Sequence, residues 1–174
     1  MDRNFLVISF SSWNVRFYFF GFFLAVMSLA GCQSASPPSG LTAEQIAVLR
    51  DQGFKPNDEG WVFDLTGKVL FGSDVGAINT QSREIVERIG KALLGVGIDQ
   101  LRVDGHTDAT GKAAYNEQLS LLRAQSVGKA LETIGMRQEN LQVRGLGSDY
   151  PVASNSTVEG RTENRRVAIV VASH

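Results

Sequence analysis

The chain has 174 residues and a mass of 18.9 kDa, enough for one ordinary domain with an appendage. Its 17 Lys and Arg residues against 18 Asp and Glu residues give a net charge of -1, so no basic surface for nucleic acid is expected. A single cysteine excludes an internal disulfide framework and a cysteine-based zinc site, two histidines leave little material for a histidine metal centre, and no cofactor is implied.

Residues 1–31 have the composition of a secretory signal peptide. Seven of the ten Phe residues lie before residue 24, and an uncharged apolar run follows Arg16. A run of about 15 apolar residues is too short for a hydrocarbon core that needs ~20. Positive charge, a short apolar stretch and small residues at its end are instead typical of a signal peptide.

Residues 29–32, Leu-Ala-Gly-Cys, resemble the bacterial lipobox, in which the cysteine becomes the acylated N terminus of the mature protein. The alternative is an ordinary signal peptide followed by a free cysteine. Several acyl chains exceed the two-signal threshold for stable anchoring, and Gln33, in place of the Asp of inner-membrane lipoproteins, favours the outer membrane. The resemblance therefore implies an outer-membrane lipoprotein, anchored at Cys32 and facing the periplasm.

A flexible linker and a short helix are predicted next. Residues 32–40 are polar and contain two prolines, so they cannot build a core. Thr42 with Gln45 three residues later predicts a helix N terminus, and Gly53 predicts its end. This helix, within residues 41–54, is short and needs a partner for its apolar side. We divide the chain into 1–31, 32–40, 41–60 and a domain at 61–174.

The remaining pattern alternates strands and helices. Strands are predicted at 61–65 and 68–71, joined as a hairpin through Thr66 and Gly67, and later at 101–104, 141–144 and 167–171. Helices are predicted at about 80–96 and 113–134, with Leu119, Val127, Ala130 and Leu131 facing inward on the second. This order predicts an α+β fold, a β/α/β/α/β sandwich whose mixed sheet is covered by helices on one face.

One polar stripe stands out on the second long helix. Asn116, Ser120 and Arg123 are spaced so that they share a face. Asp108 lies in the loop before this helix, so it and Arg123 supply opposite charges that suit a zwitterionic amino-acid head. From the residues alone, a solvated or structural ion pair of Asp108 and Arg123 is the favoured interpretation, since most surface charge pairs contribute little.

The residues of this loop and helix also resemble those of a known family. Residues 103–108, Val-Asp-Gly-His-Thr-Asp, with Asn116, Arg123 and the Asn-Arg-Arg-Val run at 164–167, resemble the OmpA-like C-terminal domain, and the match extends from about Val69 to Val171. The resemblance implies noncovalent binding of peptidoglycan through the diaminopimelate of its stem peptide. Asp108 would accept the ammonium and Arg123 would hold the carboxylate. Thr107, Asn116 and the loop N–H groups would be neighbours of the implied site. The secondary candidates are Asp74, Arg161, Arg165 and Arg166, of which the last two could instead be structural.

A subgroup resemblance covers the N-terminal segment. Residues 40–49, 52–54 and 58–61 look like the YfiB lipoproteins, which also capture a periplasmic inhibitor of the YfiR type and so release a diguanylate cyclase that makes cyclic di-GMP. The segment 41–63 would then be the partner-binding switch. Its apolar contacts would be Leu49, Phe54, Trp61 and Phe63. These four residues could equally dock the helix onto its own sheet.

Two other functions are compatible with parts of the sequence. A static wall anchor would share the fold, lipid and wall site but have no signalling partner. A hydrolase could assemble His106, Asp108 and Ser120 into a triad, but a base two residues from its orienting carboxylate is awkward, and no nucleophile elbow occurs. We therefore expect no enzyme. The sequence leaves open whether the chain is a monomer or a homodimer.

Overall fold

The computed structural model describes residues 40–66 and 78–172. The elements in chain order are α1 (Ala43–Asp51), β1 (Lys55–Asn57), β2 (Gly60–Thr66), α2 (Thr80–Gly95), β3 (Leu101–Gly105), α3 (Ala113–Thr133), a 3-10 turn (Gln138–Asn140), β4 (Leu141–Gly145), α4 (Val158–Asn164) and β5 (Arg166–Val171). These elements belong to a compact unit that begins at Pro38. Cys32, Asp74 and the predicted strand at 68–71 lie outside the described residues.

The short first helix has the local signals that its sequence predicts. Thr42 and Gln45 form a reciprocal capping box, in which each side chain accepts a hydrogen bond from the other residue's backbone N–H. At the C terminus Gly53 has φ +88°, and the N–H of Phe54 donates to the carbonyl of Leu49 at 2.9 Å. This is a Schellman ending, and its apolar partners Leu49 and Phe54 are both buried.

The strands form a mixed sheet in the order β1-β2-β5-β3-β4. β3 and β4 are parallel and are joined through α3, whereas the other pairs are antiparallel. The predicted α+β class is confirmed. β2 forms its hairpin on the N-terminal side, with β1, a pairing that the sequence analysis did not predict.

Alternation along the strands gives the sheet two different faces. The strand register places residues of β2, β5, β3 and β4 side by side in rows across the sheet. One row of side chains faces the helices, and the next row faces away from them. The first row is Phe63, Ile169, Val103 and Val143. The second row is Asp64, Ala168, Asp104 and Arg144. The apolar row packs with Val86, Ile89 and Leu93 of α2 and Val127 and Leu131 of α3 in one core.

Helix α3 lies unusually close to the sheet. Gly105 and Gly145 pair across β3 and β4. A Cβ on Gly105 would lie 1.9 Å from the carbonyl oxygen of Ser120, and one on Gly145 would lie 2.7 Å from the backbone nitrogen of Leu121. Only glycine at these two positions lets the helix backbone approach the strand ends. Leu119, which was predicted to face inward, is only half-buried.

We expect Gly105→Ala to destabilise residues 38–174 by more than about 3 kcal/mol, because its Cβ meets backbone rather than a movable side chain. Gly95→Ala is the matched control, since a Cβ there meets nothing within 4 Å and helix propensity improves by about 0.5–1 kcal/mol. Urea unfolding followed by circular dichroism measures both. Equal midpoints for the two variants would contradict the close approach of α3.

Candidate functional site

The loop that follows β3 holds the candidate site. The backbone N–H of His106 donates to the carbonyl of Arg166 at 2.9 Å, and that of Thr107 donates to the carbonyl of Gly147 at 2.8 Å. These bonds tie the loop to the start of β5 and to the loop after β4. As a result the side chains of His106, Thr107 and Asp108 are all buried.

Asp108 is the buried carboxylate of this loop. Its Oδ1 accepts hydrogen bonds from the backbone N–H (2.8 Å) and the hydroxyl of Thr110, and its Oδ2 accepts one from Nη1 of Arg165 at 2.6 Å. Burial raises the pKa of Asp108, but the hydrogen bonds from Thr110 and Arg165 outweigh it and hold the pKa below its ordinary value. The carboxylate is therefore charged at neutral pH.

The polar stripe of α3 fastens the loops around Asp108. Nδ2 of Asn116 donates to the carbonyls of Asp108 (3.3 Å) and Thr110 (2.9 Å). Oγ of Ser120 accepts from the N–H of Gly147 at 3.0 Å and donates to the carbonyl of Glu117 at 2.8 Å. Asn116 and Ser120 thus hold the backbone of the site, while Arg123 continues the stripe.

Arg123 is a half-buried guanidinium close to a second cation. Burial lowers its pKa, the charge of Arg165 lowers it further, and Tyr115 and Asp108 partly oppose this. Arg123, Arg165 and Asp108 therefore sit within range of one another's charge, two guanidinium groups to one carboxylate. Such an excess of positive charge suits an external carboxylate, which a guanidinium can bind with two parallel hydrogen bonds.

Helix α4, which the sequence analysis did not predict, completes the site. Oδ1 of Asn155 accepts from the N–H of Ala109 (3.1 Å) and from Nδ2 of Asn164 (2.9 Å). Arg161, a predicted site residue, donates from Nη1 to the carbonyl of Asn155 at 2.9 Å. Arg161 therefore braces the loop that holds Asp108. Thr110 and Asn155 were missed, because small polar residues in loops carry no periodic signal.

The four predicted switch residues lie on the domain's own core. Leu49 is 0% exposed, Phe54 3% and Trp61 8%, and the half-buried Phe63 ring lies 5.4 Å from that of Phe54. Nε2 of Gln45 also donates to the carbonyl of Val96 at the end of α2, at 3.1 Å. In this structure α1 is docked on the domain, so partner contact through the buried Leu49 and Phe54 requires the helix and its C-terminal end to move.

The three residues of the hydrolase alternative do not form a triad. Ser120 bonds to backbone groups, and Asp108 bonds to Thr110 and Arg165. His106 has a buried Nδ1 that lacks a hydrogen-bond partner within the described residues. Ser120, His106 and Asp108 therefore do not form the hydrogen bonds with one another that a catalytic triad needs.

Comparison with known proteins gives a family match. The model of the OmpA family matches residues 70–165. The outer-membrane lipoprotein YfiB of Pseudomonas aeruginosa is 52% identical over 149 residues, which cover 86% of this chain and 89% of that protein.

Two solved structures agree in fold. The cell wall anchor of the type VI secretion system from Pseudomonas aeruginosa has a TM-score of 0.60 and 30% identity, over 75% of this chain and 95% of that one. The peptidoglycan-associated lipoprotein from Burkholderia pseudomallei has a TM-score of 0.53 and 26% identity, over 59% of this chain and 86% of that one. Within the part of the chain that the structure describes, no helix has the length and apolarity to cross a membrane.

The buried His106 gives the domain a pH-dependent stability. Burial, then the charge of Arg166, lower the pKa of His106 to about 4, whereas in the unfolded chain a histidine titrates near 6.5. The unfolded state therefore binds a proton that the folded state does not as the pH falls from about 6.5 towards 4. We expect the free energy of unfolding to decrease by about 2 kcal/mol between pH 7 and pH 4.5.

Urea titrations at a series of pH values measure this effect. His106→Gln should flatten the dependence in that window, whereas His174→Gln, which changes the only other histidine, should leave it unchanged. The pKa values of Asp104 and Asp108 are lowered in the folded state. Their contribution to stability is lost mainly below the unfolded pKa of about 3.9, at lower pH than that of His106. A His106→Gln variant with the wild-type slope would disprove the assignment.

Proposed function

The chain belongs to the OmpA family and is an outer-membrane lipoprotein, and we propose that its periplasmic domain binds peptidoglycan noncovalently through the diaminopimelate of the stem peptide. The observation that carries this proposal is the buried Asp108 beside two guanidinium groups, those of Arg123 and Arg165. We also propose that Cys32 carries the lipid. The linker after it would let the domain reach the wall from the membrane.

Diaminopimelate fits the charges of the site. The end of its side chain carries an ammonium and a carboxylate on one carbon. A carboxylate oxygen can accept more than one hydrogen bond, so Asp108 can bind the ammonium while Arg165 stays in contact. The ligand's carboxylate would then lie against Arg123 and the remaining donors of Arg165. This adds Arg165 to the two residues that the family resemblance implies.

Similar proteins support the wall as the partner. Two of the solved relatives are a cell wall anchor and a peptidoglycan-associated lipoprotein. The residues that would contact the ligand lie inside the matched region, 70–165. We also propose Asp74 as a secondary contact of the ligand.

Sedimentation of the full-length protein with purified diaminopimelate-type sacculi tests the proposal. Asp108→Asn keeps the shape but removes the charge, and Arg123→Gln removes the clamp. We expect each variant to bind at least about tenfold more weakly, because a hydrogen bond to a charged group contributes about 1.5–3 kcal/mol. Arg137→Gln, an exposed arginine paired with Asp99 and Glu139, is the matched control. Wild-type protein that stays in the supernatant, or an Asp108→Asn variant that sediments normally, would refute wall binding at this site.

We further infer that the segment 41–63 captures a periplasmic inhibitor of the YfiR type, and so releases a diguanylate cyclase. The support is that the similarity to the Pseudomonas aeruginosa lipoprotein spans 149 residues, well beyond the 70–165 of the family model. A purely static tether remains the competing function.

Weakening the docking of α1 separates these two functions. Ile46→Ala shortens a side chain that packs α1 against the core and is not one of the four proposed partner contacts, so α1 should exchange its amide hydrogens faster and, if it is a switch, cellular cyclic di-GMP should rise. Ala47→Ser, on the exposed side of the same helix, is the control for helix propensity. Faster exchange in α1 with unchanged cyclic di-GMP would favour the static tether.

A further inference from the structure

The face of the sheet opposite the helices carries a groove that the proposed stem-peptide site does not use. Its volume is about 510 Å³. We call it the open-face groove, and its polar wall is formed by Asp64, Asp104, His106, Arg144, Tyr150 and Arg166. Its floor is apolar, because Val62, Ala168 and Val170 also line it.

The charges of the open-face groove neutralise one another. Arg144 donates to both oxygens of Asp104, at 2.7 and 2.8 Å, and Nε of Arg166 donates to Asp64 at 3.0 Å. Arg102, also at the groove, is paired with Glu59 and Asp104. Three carboxylates and three guanidinium groups thus leave no net charge, unlike the site at Asp108. An ionic ligand gains little here, whereas a neutral ligand with many hydroxyl and amide groups finds donors and acceptors side by side.

Two side chains at the groove, those of His106 and Tyr150, have groups that could contact a ligand. His106 lines the groove, is 4% exposed, and has an Nδ1 without a hydrogen-bond partner among residues 40–66 and 78–172. The Tyr150 side chain is 62% exposed at the groove, and both Nη atoms of Arg166 point at its backbone carbonyl at 3.4 Å. An exposed aromatic ring fixed at its backbone is a stacking platform with an apolar face and a polar tip.

The groove adjoins the proposed stem-peptide site. His106 lies two residues before Asp108, and Arg166 follows Arg165, which binds Asp108. Two residues of chain span at most about 7 Å. In peptidoglycan the diaminopimelate is separated from its sugar by two residues and a lactyl group, about 12 Å when extended. A wall fragment held at Asp108 can therefore bring its sugar to the groove.

We propose that the open-face groove binds the neutral N-acetylhexosamine sugars of the glycan strand, next to the stem-peptide site. This inference rests on the proposed function, because the bound peptide delivers the sugar at a high effective concentration. The Tyr150 ring would cover the C–H face of one sugar. The paired side chains of Asp104, Arg144 and Arg166 would bond to its hydroxyl and acetamido groups.

Calorimetry with two soluble ligands tests the groove separately from the peptide site. The ligands are the tripeptide L-alanyl-γ-D-glutamyl-meso-diaminopimelate and the same tripeptide joined to the GlcNAc-MurNAc disaccharide, each titrated into full-length protein in mild detergent. We expect the disaccharide form to bind about tenfold more tightly. Tyr150→Ala should remove this increment and leave the Kd of the free tripeptide unchanged.

Matched variants make the outcome specific. Tyr150→Phe keeps the ring and should keep the increment, and Leu122→Ala, which shortens an equally accessible apolar side chain on α3 (54% exposed), should behave as wild type. Equal affinity of wild type for the two ligands would overturn the sugar site, and so would an undiminished increment in Tyr150→Ala. Failure of wild type to bind either ligand would instead refute the peptide site, and with it this inference.

Discussion

The close approach of α3 to the ends of β3 and β4 is the constraint on which the site depends. At Gly105 the helix backbone lies where any other residue would have its Cβ. This proximity brings Asn116 within reach of the loop carbonyls and Ser120 within reach of the Gly147 N–H. Because the helix carries Arg123 on the same face, one packing contact sets the position of the guanidinium relative to Asp108.

Tertiary contacts, more than local ones, build the charged site around Asp108. Asp108 and Arg165 are 57 positions apart in the sequence, yet they form the shortest charged contact of the site at 2.6 Å. Arg165 caps the C terminus of α4 and Arg166 is the first residue of β5, and the two guanidinium groups contact different carboxylates, those of Asp108 and Asp64. A single dipeptide thus takes part in both the charged site and the neutral groove, and the two surfaces have opposite electrostatic preferences.

The sequence predicted what local physics decides. The capping box at Thr42, the glycine ending at Gly53 and both long helices follow from rules that act within a few residues. β1 was missed because its three residues, Lys-Pro-Asn, are exposed and show no apolar alternation, so only pairing with β2 defines them as a strand. α4 was missed because it has seven residues and is ordered by Asn164, whose side chain bonds to Val152, Ala153 and Asn155. The polar stripe and its charges drew attention to Asp108 and Arg123, but their assignment as ligand-binding residues came from the family resemblance, since charge pairs carry no sequence period.

The docked state of α1 limits how a switch could operate. Leu49, Phe54 and Trp61 are buried in the same core as the sheet, and exposing three large side chains costs on the order of 5–9 kcal/mol. The fully undocked form would then be populated at less than about one part in a thousand, so a partner must bury these side chains again to stabilise it. A partner surface with matching apolar pockets can do this, whereas a purely electrostatic contact cannot. The proposed wall site lies on other parts of the chain, the loop after β3 and helix α3, so wall binding could shift this balance only if wall and partner contacts differ between the docked and undocked forms.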